Sequence, residues 1–216
     1  MNARSNALDT ITRSRLVAIV RLPALEDAVA LARALTAGGI RVFEFTLTTP
    51  GALAAISAVI EHLPEVAQGD AVVGVGSVLT PEDAHAAIDA GARFVVSPVF
   101  KPDVIDVCAL RETPVFPGAY TPTEIEAAWA AGAAAVKVFP ARGLSPTYLR
   151  DLLEPMPFLK LMPTGGIDAG NAAAWLKAGA VAVGVGGALV DKAAVARRDW
   201  AALTAAARRL TEAIAA

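Results

Sequence analysis

An alanine–glycine–small-residue triplet occurs four times, at Ala37-Gly38-Gly39, Ala90-Gly91-Ala92, Ala131-Gly132-Ala133 and Ala178-Gly179-Ala180. Each closes a helical pattern and leads straight into an apolar run, at residues 41–47, 93–96, 134–139 and 181–185. A glycine after a helix takes the left-handed conformation that stops it, so each triplet reads as a tight helix-to-strand turn. The triplets recur at about the length of two βα units and therefore mark alternate strands. Four further apolar runs, at 16–21, 71–75, 114–116 and 158–162, fill the gaps. Short apolar strands alternating with amphipathic helices predict a parallel sheet covered by helices. Thr80-Pro81, Thr121-Pro122 and Ser145-Pro146 mark helix starts, each with a capping hydroxyl before a proline at the first helical position.

Eight strands in 216 residues favour the α/β class, as a single parallel (β/α)8 TIM barrel. One domain over residues 1–216 is expected, with an N-terminal helical segment at 1–15 and a C-terminal helix at 198–216. The competing architecture is an open flavodoxin-like or Rossmann-like sheet. Neither Gly74-Val75-Gly76 nor Gly184-Val185-Gly186-Gly187 completes GxGxxG, so nicotinamide binding has no support. A net charge of −2 sets up no strong field toward nucleic acid or an anionic membrane. The N-terminal stretch lacks a signal-peptide apolar region, and the uncharged run at 178–190 is shorter than a membrane span. The lone Cys108 excludes an internal disulfide framework and reads as buried filler in a helix. A cytoplasmic protein is the expectation.

Barrel active sites form at strand C-termini and the loops that follow. There Lys137 interrupts an apolar strand, Ala135-Val136-Lys137-Val138-Phe139. Strand parity groups Lys137 with Ala135 and Phe139, facing inward if Val136 and Val138 meet the helices. A lysine is almost never buried without a partner, because desolvating its ammonium is costly. Such a site suits a neutral amine that attacks a carbonyl, although a tip reaching solvent or an ion pair would also satisfy it. Lys160 begins its strand and reads as a surface lysine. Glu44 lies within Val42-Phe43-Glu44-Phe45 and shares a face with Val42, Thr46 and Thr48. It is the natural proton carrier beside the amine, or else one half of a structural ion pair.

Thr164-Gly165-Gly166 and Gly184-Val185-Gly186-Gly187 end the last two strands, where loops of this architecture usually bind phosphate through backbone N–H groups and a following helix N-terminus. Tight turns without a ligand are the alternative. Arg21 ends the first strand and is suited to gripping a carboxylate, with a surface arginine just past the strand as the alternative. No metal is expected, since His62 and His85 lack a second ligand at metal spacing.

The ordered set Glu44-Phe45-Thr46-Leu47-Thr48, Gly74-Val75-Gly76-Ser77, Lys137-Val138-Phe139-Pro140, Pro163-Thr164-Gly165-Gly166 and Gly184-Val185-Gly186-Gly187 resembles the 2-keto-3-deoxy-6-phosphogluconate (KDPG) aldolases. Their phosphogalactonate (KDPGal) and 4-hydroxy-2-oxoglutarate relatives are similar too. The resemblance implies a metal-independent class I aldolase of the Entner–Doudoroff type, without a cofactor, splitting the substrate into pyruvate and glyceraldehyde 3-phosphate. It implies that Lys137 forms the imine and Glu44 moves the protons. Arg21, Thr48, Ser77, Pro98, Phe139 and Thr164 are implied to surround the carboxylate and pyruvyl carbons. Gly165, Gly166, Gly186 and Gly187 are implied to hold phosphate. A homotrimer is implied as well.

Three positions depart from the family pattern. Thr48 stands where many members carry a carboxylate-binding arginine, Ser77 replaces a threonine, and Gly187 replaces a phosphate-contacting serine. Whether Arg21 or the Thr48 region holds the carboxylate stays open. Two remoter readings are a phosphate-binding isomerase or synthase without an imine, and a non-catalytic barrel that binds a sugar phosphate.

Overall fold

The computed structural model describes residues 3–215. Among the described residues there are nine parallel strand segments, each but β5 followed by a helix: β1 (Leu16–Val20), β2 (Val42–Thr46), β3 (Val72–Gly76), β4 (Val95–Val96), β5 (Val115–Phe116), β6 (Gly118–Ala119), β7 (Val136–Val138), β8 (Leu161–Pro163) and β9 (Val183–Val185). One sheet runs β5-β4-β3-β2-β1-β9 and a second runs β6-β7-β8. Every residue in these segments is buried, as a parallel sheet wrapped by helices requires. The result is an α/β fold whose parallel sheet curls around an interior of its own. The sheets meet at two seams, where Ala134 N donates to Val115 O (2.9 Å) and Val181 N donates to Leu161 O (3.0 Å). A Thr164–Gly184 bridge reinforces the second seam.

The fifth sequence-predicted strand is longer than expected and divided. Pro117 has no N–H to give to a ladder and splits it into β5 and β6, while its carbonyl still accepts from Lys137 N at 2.9 Å. The terminal helices span Ala3–Ser14 and Trp200–Ala215; residues 1–2 and 216 of the expected segments lie outside the described residues. Thr80 and Thr121 cap their helices by accepting from Asp83 N and Glu124 N, but the Ser145 hydroxyl makes no such bond. At the four triplet turns the left-handed residue is Gly39, Gly91, Gly132 or Gly179, with φ of +98° to +106°.

Two apolar layers follow from strand parity. Phe43, Phe45, Val136 and Val138 face the helices in the outer layer. Val42, Phe94, Phe116, Ala135 and Met162 fill the inner one. Ala7 and Ile11 of the N-terminal helix join the inner layer, packing with Val42 and Val72 at the first residues of their strands. That helix closes the interior at the strands' N-terminal side, a role that its sequence alone did not reveal. Above this floor, Phe94 and Phe116 meet edge to face (5.9 Å between centroids, 79°). A Cβ at Gly74 would stand 2.5 Å from the Phe94 ring, so the glycine makes room for this aromatic layer. The polar groups sit toward the strands' C-terminal ends.

Candidate active site

Glu44 is the third residue of β2 and Lys137 the middle residue of β7, on the inward parity of their strands. Glu44 is 0% exposed and Lys137 2% exposed, which decides that neither reaches solvent on its own. Lys137 Nζ stands 3.9 Å from Glu44 Oε1. That distance is too long for a direct hydrogen bond and suits a bridging water or substrate oxygen. Neither Glu44 oxygen has a hydrogen-bond partner within the protein, so the carboxylate is free to accept from an incoming hydroxyl. Burial pushes the Lys137 ammonium below its ordinary value of 10.5; Glu44 opposes that shift and the Arg21 charge adds to it. The amine is thereby biased toward its neutral, nucleophilic form. Its Nζ also lies 5.1 Å from the centroid of the Phe139 ring, a distance at which the cation is attracted to the ring face.

The surrounding backbone explains how two buried ionisable groups fit. A Cβ at Gly76 would lie 1.9 Å from Glu44 Oε1, so this glycine exists to admit the carboxylate. A Cβ at Gly184 would lie 2.4 Å from Thr164 Oγ1, which keeps the threonine hydroxyl at the head of β8. Gly118 pairs with Lys137 across β6 and β7, and its Cα side is closed by the Pro98 carbonyl. Pro98 is therefore next to β6, the strand that pairs with the lysine's. Ser77 follows Gly76 with φ +63°, a left-handed backbone unusual for serine. Its side chain is half-buried at the end of β3.

Arg21 is exposed at the end of β1, and three threonines fix the backbone around it. Thr49 Oγ1 accepts from Leu22 N at 3.1 Å. Thr46 Oγ1 donates to Val20 O at 3.2 Å and lies 3.0 Å from the Thr48 hydroxyl. Hydrogen bonds thus pin Val20 and Leu22, on either side of Arg21. Thr48 serves this network, and its exposed side chain supplies no charge.

Gly165 and Gly166 have φ of +96° and +79°, turning the chain after Thr164. A Cβ at Gly165 would contact Phe139 Cδ2 at 3.6 Å, which sets this loop beside the lysine's strand. Gly186 flanks Ile19 of β1, whereas Gly187 is exposed and nothing would meet a Cβ there. The expected helix N-termini do not begin at these glycines. The next helices start only at Ala172 and Lys192. In the first case Asn171 Nδ2 donates to Gly166 O (2.9 Å) and Asp168 accepts from Gly170 N (2.8 Å), and these side-chain bonds hold the loop open. In the second, Leu189 N and Val190 N both donate to Gly186 O, making a single turn.

A sequence model of the KDPG and KHG aldolases matches residues 8–206. The chain belongs to this family. A 2-dehydro-3-deoxy-phosphogluconate aldolase of Treponema pallidum (strain Nichols) is 39% identical over 198 residues, covering 91% of this chain and 92% of the relative. A KHG/KDPG aldolase of Escherichia coli (strain K12) is 32% identical over 212 residues, 98% and 97% of the two chains. Among solved structures, the KDPG aldolase from Legionella pneumophila, with pyruvate captured as a covalent carbinolamine, superposes with a TM-score of 0.83. It is 29% identical, and the match covers 97% of this chain and 98% of that one.

Relative to the family pattern, two features of this chain escaped sequence reasoning. Thr49 and the space-making role of Gly76 depend on contacts between neighbouring strands, and no local pattern announces them. Lys160 is exposed, as its place before β8 predicts, and Cys108 is buried with its thiol pushed up to about 12, an inert group. Among the described residues, no three His, Cys, Asp or Glu side chains cluster as metal ligands, and no helix is long and apolar enough to cross a membrane.

Because the Gly76 Cβ position overlaps the carboxylate, Gly76→Ala must swing Glu44 away from Lys137. Overpacking of this kind costs about 1–3 kcal/mol. Turnover by aldolase assay is expected to fall at least about tenfold, with a lowered melting temperature but an unchanged circular dichroism spectrum. Full activity in this variant would show that the carboxylate position is not critical.

Proposed function

We propose that this chain is a class I aldolase that cleaves 2-keto-3-deoxy-6-phosphogluconate to pyruvate and glyceraldehyde 3-phosphate through an imine on Lys137. The observation that carries it is the buried Lys137 amine 3.9 Å from a buried Glu44 carboxylate. The neutral amine adds to the substrate's keto carbon, and Glu44 returns a proton to the departing hydroxyl as water leaves. The resulting iminium then takes up the electron pair of the C3–C4 bond, while Glu44 removes the proton of the C4 hydroxyl. Glyceraldehyde 3-phosphate departs as the aldehyde. The enamine takes a proton at C3, and hydrolysis of the imine releases pyruvate and the free amine.

In this reading Arg21 holds the carboxylate, with Thr48, Thr46 and Thr49 steadying its backbone. Ser77, Pro98, Phe139 and Thr164 line the pyruvyl end, and Gly165, Gly166, Gly186 and Gly187 face the phosphate. No cofactor is needed, since the iminium nitrogen is itself the electron sink. The two seams between the sheets support a closed (β/α)8 barrel in a single domain, with these loops around one mouth. A homotrimer in the cytoplasm, serving an Entner–Doudoroff type of sugar-acid breakdown, completes the proposal on the strength of the family resemblance.

The test is borohydride reduction in the presence of pyruvate, followed by peptide mass spectrometry. A pyruvyl adduct on Lys137 is expected, and absence of an adduct on any lysine would sink the imine mechanism. A panel of KDPG, its phosphogalactonate epimer and 4-hydroxy-2-oxoglutarate then ranks the substrates. Preference for the phosphorylated six-carbon acids is the expected order. Equal efficiency on 4-hydroxy-2-oxoglutarate would assign the glycine loops little weight.

A further inference from the structure

The short helical turn Ala141–Gly143 follows the lysine's strand and carries an arginine at its centre. Ala141 N donates to Thr164 O at 2.8 Å, which ties this turn to the end of β8. The tie brings Arg142 against the glycine loop that follows Thr164. A Cβ at Gly166 would meet Arg142 Cα, Cβ and Cγ at 3.1, 3.2 and 3.3 Å, so the arginine's stem runs directly over that glycine. Gly166 has φ +79° and could hardly carry a side chain in any case. Arg142 itself is exposed, and it joins no ion pair among the described residues.

The glycine loops offer an anion only backbone N–H groups. Gly187 adds no hydroxyl, although the space around it is open, and the helices that might have lent partial charge begin residues later. A phosphate dianion held there would lack a full counter-charge. A guanidinium meets that need with a planar fork that matches phosphate oxygens two at a time. We propose that Arg142 is a specificity-determining residue that recognises the substrate's phosphate at the Gly165-Gly166 loop. The proposal rests on the aldolase reading and on those glycines as its phosphate end. Nothing in the order of residues along the chain announces it, because the contact is made between two loops.

Arg142→Ala and Arg142→Lys, each checked for an unchanged melting temperature, are compared on two substrates. One is the phosphorylated six-carbon acid and the other is 4-hydroxy-2-oxoglutarate, which has no phosphate. Arg142→Ala is expected to lower kcat/KM on the phosphorylated substrate roughly 10- to 100-fold, mainly through KM, and to leave the unphosphorylated one unchanged. Arg142→Lys should restore part of the loss, as a point charge without the fork. Inhibition of the unphosphorylated reaction by inorganic phosphate should weaken in parallel. An equal fall on both substrates, or no fall on the phosphorylated one, overturns the assignment while leaving the aldolase intact. Wild-type protein that cleaves neither substrate overturns the aldolase reading and this assignment with it.

Discussion

Lys137→Ala is expected to lower retro-aldol turnover by roughly four orders of magnitude, about 5.5 kcal/mol of transition-state stabilisation, and to abolish borohydride trapping by pyruvate. The size follows from the chemistry: without the amine there is no iminium to accept the electrons of the C3–C4 bond. Lys160, exposed at the other end of its strand, cannot take its place. The same variant carries a stability signature. Burial lowers the Lys137 value in the folded chain, whereas in the unfolded chain it titrates near 10.5. Between the lowered value and 10.5 the unfolded state binds more protons, so stability rises with pH across that window. Thermal denaturation of wild type should show this rise, and Lys137→Ala should lose that contribution to it. Identical pH slopes in the two proteins would mean that the amine is not desolvated in the folded state. A folded Lys137→Ala variant with turnover within tenfold of wild type would reject the imine mechanism.

Glu44→Gln should reduce turnover by about 10²- to 10⁴-fold, the usual worth of a positioned acid/base. Its second effect has a definite sign. Glu44 holds the Lys137 value up against burial and the Arg21 charge, so removing its charge lets that value fall further. The acidic limb of the trapping-versus-pH profile should therefore move to lower pH, even as turnover collapses. A carboxylate too far from the amine to interact with it predicts no such movement, and a purely structural ion pair predicts the movement without the loss of turnover. A shift to higher pH would mean that the carboxylate is not near the amine in solution. Gln retains the volume beside Gly76, so the change isolates charge from packing.

Strand parity set Glu44 apart from Phe43 and Phe45, and Lys137 apart from Val136 and Val138, because side chains alternate with a period of two; the packing of those four residues against helices then turns the charged pair inward. The triplet turns were legible for a similarly local reason: a left-handed backbone strongly favours glycine, though at the first turn it falls on Gly39 rather than Gly38. Less local features were misjudged. The fifth strand outruns Pro117 because the proline carbonyl still accepts from Lys137 N, so pairing continues past the missing N–H. The glycine loops do not start helices, because Asp168 and Asn171 hold one loop open and Gly186 begins an isolated turn in the other.

By itself the sequence determined the α/β alternation, the strand faces that carry the amine and the carboxylate, and the positions of the glycine loops, since each depends on neighbours in the chain or on a fixed periodicity. Tertiary structure alone decided the 3.9 Å spacing of Lys137 and Glu44, the space that Gly76 leaves for the carboxylate, and the placing of Arg142 over Gly166. Those depend on how far one strand or loop is staggered against another. That stagger is set by the packing of the whole curled sheet around its inner layer, and no local stretch of sequence encodes it.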